Sequence, residues 1–245
     1  MSLGFLSPNG AGGGVIAASP LEPWLREAGA RFEERDGWRV ATSFRSAPDE
    51  LQTIRVAAGI ADRSAMGKLE LQGPPDALSS LLTSIVPGGP PGPGETTDLD
   101  GALLWLSSPD RALAVCETAD TTSLMGLLES VCGESPHCGV VDLTAGLAGI
   151  ELRGPRAGEL LERITAIDVR PSSLVIGAVR AGSVAEVPAT LLHPDDGTFL
   201  ILVGAQEAPD AWAIVVDAGA PLGARPVGVD ALVQLQTRSQ AVAHA

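Results

Sequence analysis

Tyrosine is absent from this 245-residue chain, and lysine occurs once, at Lys68. The first absence removes the phenol as an acid–base group; the second leaves a single amine for Schiff-base chemistry. Aromatic residues make up only 3% of the sequence, and 16 basic residues face 30 acidic ones, for a net charge of −14. That excess repels phosphate backbones and anionic headgroups, so neither nucleic acid nor membrane is an expected partner. No apolar run nears the roughly 18 residues that a membrane-spanning helix needs. Residues 1–14 lack the basic flank and sustained apolar core of a secretory signal. Three cysteines, an odd number, close no disulfide set and suit a reducing, cytoplasmic compartment. Cys132, His137 and Cys138 lie close together but have no fourth ligand at zinc-motif spacing, so no metal is expected. Gly-x-Ser-x-Gly and phosphate-loop patterns are missing, and Gly12-Gly13-Gly14 has neither the preceding strand nor the following helix of a dinucleotide loop.

What is present is a repeat. Residues 69–74 read Leu-Glu-Leu-Gln-Gly-Pro and residues 150–155 read Ile-Glu-Leu-Arg-Gly-Pro. Each is a short alternating strand closed by a Gly-Pro break, and each runs into an amphipathic helix, with Leu78, Leu81 and Leu82 in the first and Leu160, Leu161 and Ile164 in the second. Asp62-Arg63-Ser64 precedes the first copy as Asp142-Leu143-Thr144 precedes the second. Each copy continues into a hairpin pattern and another helix, 119–131 and 208–218. An offset of about eighty residues is too long for a solenoid and fits a duplicated domain half.

The predicted fold is therefore α+β: tandem βαββαβ units with antiparallel sheets and helices packed on one face of each. The organisation expected is a flexible leader at 1–19, a first half at 20–143, a second half at 144–236 and a tail at 237–245. A closing strand is expected at 231–235. Residues 87–94, rich in proline and glycine, are expected to form an exposed, stiff loop. Lys68, alternating with Leu69 and Leu71, is expected to face solvent, and His193, before Pro194, to be a turn residue.

The stretch Ala58-Gly59-Ile60-Ala61-Asp62-Arg63-Ser64-Ala65-Met66-Gly67-Lys68-Leu69 resembles the glycine-cleavage T-protein (aminomethyltransferase) family, as do Pro20-Leu21 and Gly29-Ala30-Arg31-Phe32 ahead of Gly37-Trp38. Leu104-Trp105-Leu106, Val140-Val141-Asp142-Leu143-Thr144 and Leu152-Arg153-Gly154-Pro155-Arg156-Ala157 are similar to the gamma subunit of heterotetrameric sarcosine oxidase, of the same superfamily. The resemblance spans roughly 20–236. It implies a folate-binding duplicated domain like that of aminomethyltransferase, without the C-terminal β-barrel.

The resemblance also implies a site. Asp100 is the catalytic candidate, Met66, Leu103 and Trp105 the walls for a flat ligand, and Asp195 the carboxylate for the paired N–H donors of a pterin ring. Several positions depart from the family pattern. A motif pair of aspartates becomes Asp100-Gly101, the histidine usually before Met66 is Ala65, the motif arginine falls on Val229, and the strand tyrosine is Trp105. One residue of offset on a strand reverses the face, so these changes weigh against retained one-carbon transfer. The implied function is a T-protein-like protein binding tetrahydrofolate or a similar flat ligand; if active, it is a tetrahydrofolate-dependent aminomethyl or methyl transferase. The alternative is a non-catalytic subunit, like the sarcosine oxidase gamma chain, of a flavin-dependent amine oxidase. Expected partners are a small-molecule ligand and either a larger flavoprotein or further copies of the chain.

Overall fold

The computed structural model describes residues 16–133, 135 and 137–243, with side chains through Thr237. The leader expected at 1–19 lies for the most part outside the described residues. The described chain opens with β1 (Ala17–Ala18), α1 (Glu22–Glu27), β2 (Arg31–Arg35), β3 (Trp38–Ser43) and α2 (Ala47–Val56). These strands form a three-stranded sheet in the order β1-β3-β2, with β1 and β3 parallel. Trp38 is buried there. Ser46 caps α2 by accepting from Asp49 N, and Pro48 occupies its first turn. Inside the same helix Glu50 is 1% exposed. Its carboxylate accepts the backbone N–H groups of Phe44 at 2.6 Å, Arg45 at 2.7 Å and Gly228 at 2.8 Å.

The first repeat runs β4 (Gly59–Asp62), β5 (Gly67–Gln72), α3 (Pro75–Ile85), β6 (Thr97–Leu99), β7 (Ala102–Ser108), β8 (Arg111–Cys116) and α4 (Thr121–Gly133). The second runs β9 (Gly139–Asp142), β10 (Leu147–Arg153), α5 (Ala157–Glu162), β11 (Val179–Val184), β12 (Val187–Asp195), β13 (Thr198–Gly204), α6 (Ala208–Gly219), β14 (Arg225–Pro226) and α7 (Val229–Ala243). Two sheets result, β6-β7-β8-β5-β9 and β11-β12-β13-β10-β4-β14. Within them every pairing is antiparallel except β14 with β4. The Gly-Pro break after β10 is a close approach: a Cβ on Gly154, whose φ is +141°, would lie 2.5 Å from the carbonyl oxygens of Ile54 and Ala57.

The two copies are joined by exchanged strands. β4 precedes β5 in sequence but pairs with β10, and β9 precedes β10 but pairs with β5. The crossings match bond for bond. Asp62 Oδ1 accepts from Ser64 N at 2.9 Å and Asp142 Oδ1 from Thr144 N at 2.8 Å. Ser64 Oγ accepts from Gly149 N and Thr144 Oγ1 from Lys68 N. Arg63 N donates to Gly149 O and Leu143 N to Lys68 O, both at 2.8 Å. This is the pseudo-twofold relation that the repeated sequence implies.

Alternation along the strands then assigns the layers. Leu69 and Leu71 of β5, Leu104 of β7 and Ala112 and Ala114 of β8 meet the leucines of α3 and α4. Ile150 and Leu152 of β10 and Phe199, Ile201 and Val203 of β13 meet α5 and α6. The intervening residues, Trp105, Leu113, Val115, Val179, Leu192, Leu200 and Leu202, pack sheet against sheet. The order is helices, sheet, sheet, helices.

That arrangement corrects two expectations. Lys68 is 0% exposed, not solvent-facing, because the second sheet covers the face opposite Leu69 and Leu71. Residues 231–235 are helical, within α7, which runs on through most of the expected tail. Val229, Ala231 and Leu232 are buried, and Ala231 and Leu232 pack with Ile54, Ala61 and Val227, with Leu235 packed against that cluster one turn on. The edge position is taken instead by β14. The loop at 87–94 is tied down at its end: Gly94 O accepts from Val179 N at 2.9 Å and from Arg180 Nη1 at 2.8 Å. Among the described residues no helix is long and apolar enough to cross a membrane.

Candidate functional site

At one end of the inter-sheet layer the apolar packing gives way to charge. Glu151 and Arg153 occupy the positions of β10 that point away from α5 and α6, and Thr198, directly opposite Arg153 in the register, does the same on β13. They line a cleft of about 170 Å³ with Met66, Gly101, Leu103, Val115, Pro194, Asp195 and Leu200, closed in part by Gln236 of α7. A second cleft of about 140 Å³ lies alongside, between Arg35, Val40, Ala65, Val229 and Val233. Arg63, Met66 and Glu117 line both.

A chain of charges runs through the wall. Arg63 is bound to Glu117, and its Nε lies 3.2 Å from Glu151 Oε2. Glu151 Oε1 is 3.5 Å from Arg153 Nη1, and Arg153 Nη2 is 4.0 Å from Asp195 Oδ2. Burial pushes the Glu151 carboxyl above the usual range, more than Arg63 and Arg153 pull it down. Burial would lower Arg63, but Glu151 and Glu117 overcompensate and its guanidinium holds its proton more tightly. Among the described residues, Arg63 Nε and Glu151 Oε1 are ion-paired but lack an aligned hydrogen bond, and Thr198 Oγ1 has no partner although Thr198 is 5% exposed. An underused guanidinium, an unpartnered hydroxyl and carboxylates beside an apolar wall are equipment for a small polar ligand with a flat apolar body.

Of the residues singled out from sequence, Met66, Leu103 and Asp195 come together on this cleft. Trp105 does not line it; it is 2% exposed and packs between the sheets. Asp100 is exposed in the turn between β6 and β7, with φ +52°, next to Gly101, which does line the cleft. His193 is not the expected turn residue: it lies inside β12, its backbone pairing with Ala178 O and Gly177 N, its Nδ1 2.8 Å from Leu174 O and its ring stacked on Phe199 at 4.5 Å. Arg63, Glu151, Arg153 and Thr198 were not anticipated. The signal for them was available: a polar residue at every second position of Ile-Glu-Leu-Arg reads as a wet face, and duplication warned that another sheet could cover it.

The family model for the GCVT N-terminal domain matches residues 96–241. An aminomethyltransferase of Anoxybacillus flavithermus is 27% identical over 231 residues, covering 89% of this chain and 62% of the relative. That of Bacillus subtilis is 28% identical over 232 residues, covering 89% and 63%. The chain thus spans about three-fifths of the length of the curated relatives it matches. Among solved structures, glycine cleavage system aminomethyltransferase T from Bartonella henselae superposes with a TM-score of 0.70 at 18% identity, covering 88% of this chain and 60% of that one. A chain of heterotetrameric sarcosine oxidase from Corynebacterium sp. U-96 superposes with a TM-score of 0.59 at 22% identity, covering 74% and 95%.

Proposed function

The chain belongs to the GCVT N-terminal domain family, and from that membership we propose that the cleft between its two sheets binds tetrahydrofolate or a similar flat ligand. The observation that carries this reading is the cleft itself, where Met66, Leu103, Val115 and Leu200 supply apolar walls beside Asp195, Arg153 and the unpartnered hydroxyl of Thr198. Asp195, 69% exposed at its side chain, accepts Asp196 N at 2.8 Å through Oδ1 and keeps a lone pair on each oxygen for paired N–H donors from a ring edge. Pro194 precedes it in the cleft lining, and the ion-paired Arg63 and Glu117 are shared with the second cleft. A bound tetrahydrofolate supplies the nitrogen that accepts a one-carbon unit. Asp100 is the proposed proton-handling group for such a transfer, but the carboxylates that line the cleft are Glu117, Glu151 and Asp195. Binding is accordingly the part of the activity we put first. The free thiols of Cys116, Cys132 and Cys138 suit a cytoplasmic location, which belongs to the same reading.

Ligand that binds only the native state raises its melting temperature by mass action. Tetrahydrofolate and 5-formyltetrahydrofolate are expected to raise the Tm of the wild type, and Asp195→Ala to weaken the shift at least about tenfold in ligand concentration, the loss expected for hydrogen bonds to a charged acceptor. An unchanged Tm at saturating concentrations of both would end this reading. Asp100→Ala is expected to leave the binding shift intact while abolishing any one-carbon turnover; unchanged turnover would remove Asp100 from the chemistry.

A second reading, a non-catalytic subunit of a larger flavin-dependent amine oxidase, has one observation in its favour. The superposition covers 95% of the sarcosine oxidase chain. Purification as a stable complex carrying flavin absorbance, with no folate-induced shift, is the result that would favour it.

A further inference from the structure

The duplication provides an internal control for the cleft. Glu70, Gln72 and Arg111 occupy the positions in the first copy that Glu151, Arg153 and Thr198 occupy in the second, with Gln72 opposite Arg111 as Arg153 is opposite Thr198. In the first copy the polar groups satisfy one another: Gln72 Nε2 and Arg111 Nη1 both donate to Glu70 Oε1. In the second copy they do not. Among the described residues the ion pairs of the Arg153 guanidinium are long, 3.5 Å to Glu151 and 4.0 Å to Asp195, with its side chain 13% exposed. Among the described residues Thr198 Oγ1 is buried without a hydrogen-bond partner, and Glu151 Oε1 has the long ion pair with Arg153 in place of a well-aligned bond. Buried polar groups are nearly always satisfied, so a set left open in one copy and closed in the other marks a place where a ligand completes the bonding.

The pattern also says which ligand. A simple anion is a poor match, because Arg153 already stands between two carboxyl groups. A neutral ring edge that offers N–H donors beside a carbonyl suits both neighbours, its donors to Asp195 and its oxygen to Arg153, with the Thr198 hydroxyl able to serve either. Building on the proposed folate-type binding, we infer that Arg153, beside Asp195 and Thr198, reads the carbonyl of a 2-amino-4-oxo ring edge and is the residue that sets specificity for it. A 2,4-diamino edge places a donor against the guanidinium, where both partners are left unsatisfied.

Calorimetric titration of the wild-type chain with 5-formyltetrahydrofolate and with its 4-amino-4-deoxy counterpart tests this without altering the protein. The 4-amino compound is expected to bind roughly 10- to 100-fold more weakly, the range for one hydrogen bond to a charged group. Arg153→Met is expected to collapse that ratio towards one, mainly by weakening the 4-oxo ligand, and Arg153→Lys to restore part of it; loss of packing alone would weaken both ligands and keep the ratio. Equal affinity of the wild type for the two compounds overturns the role of Arg153 and leaves folate-type binding standing. Binding of neither compound overturns both.

Discussion

Glu50→Ala is expected to lower the free energy of unfolding by roughly 4 kcal/mol, because it strands backbone N–H groups that each cost about 1–3 kcal/mol when buried without a partner. The carboxylate holds three of them, on Phe44, Arg45 and Gly228, and so joins the β3–α2 corner to the turn that starts α7. Water reaches Phe44 and Arg45 in part, which keeps the sum below the maximum for three. Glutamine has one acceptor oxygen in place of two, so Glu50→Gln is expected to fall between wild type and alanine. The neighbouring backbone leaves no space for an alternative fit, since a Cβ on Gly228 would lie 1.9 Å from Thr42 O. Urea unfolding measures the effect; a loss below about 1 kcal/mol for Glu50→Ala would show that solvent replaces the carboxylate.

The second large effect is a pH dependence, and it comes from the one lysine. Lys68 is fully buried, its Nζ donates to Ser64 O at 2.7 Å, and burial lowers its pKa from 10.5 to about 7, with Asp62 and Asp142 only partly offsetting the desolvation. Between those two values the unfolded chain holds a proton that the folded chain does not, so unfolding takes up protons and stability rises with pH. Below about 7 both states carry the proton and the burial penalty is felt in full; above 10.5 neither does and it is gone. Across the whole window the gain is on the order of 4–5 kcal/mol, since each pH unit between the two values contributes about 1.4 kcal/mol. Tm measured from pH 6 to 9.5 is expected to climb in the wild type relative to Lys68→Met, which carries an uncharged stem of similar length. Parallel curves for the two proteins would place the titration elsewhere.

How much of this could be read from the letters depends on which face of a strand is meant. The apolar residues of Leu69-Glu70-Leu71 and Ile150-Glu151-Leu152 announced strands and their helix-covered sides, and the repeat announced the pseudo-twofold. The polar alternates announced a solvent face that does not exist, because what covers it is a second sheet brought in from some eighty residues away. Burial of Lys68, Glu70 and Glu151 follows from that tertiary contact and from no local pattern. Ala231-Leu232-Val233-Gln234-Leu235 is ambiguous in another way: a short apolar run satisfies either period, and packing against Ile54 and Val227 decides for helix. At the cleft, Met66, Leu103 and Asp195 lie together where the family resemblance suggested, whereas Arg153 and Thr198 belong to a polar strand face that only the covering sheet turns into a cleft wall.

The exchanged strands β4 and β9 carry a history with them. A protein with a single copy of this unit would have had to lend its leading strand to a second molecule and borrow that molecule's strand in return, so the ancestor is expected to have been an interlocked homodimer. Fusion made the exchange intramolecular and released the two copies from having to be identical. Separately produced fragments, 16–137 and 138–243, are expected to stay unfolded alone and to regain structure on mixing, each finding in the other the strand it was never able to supply for itself.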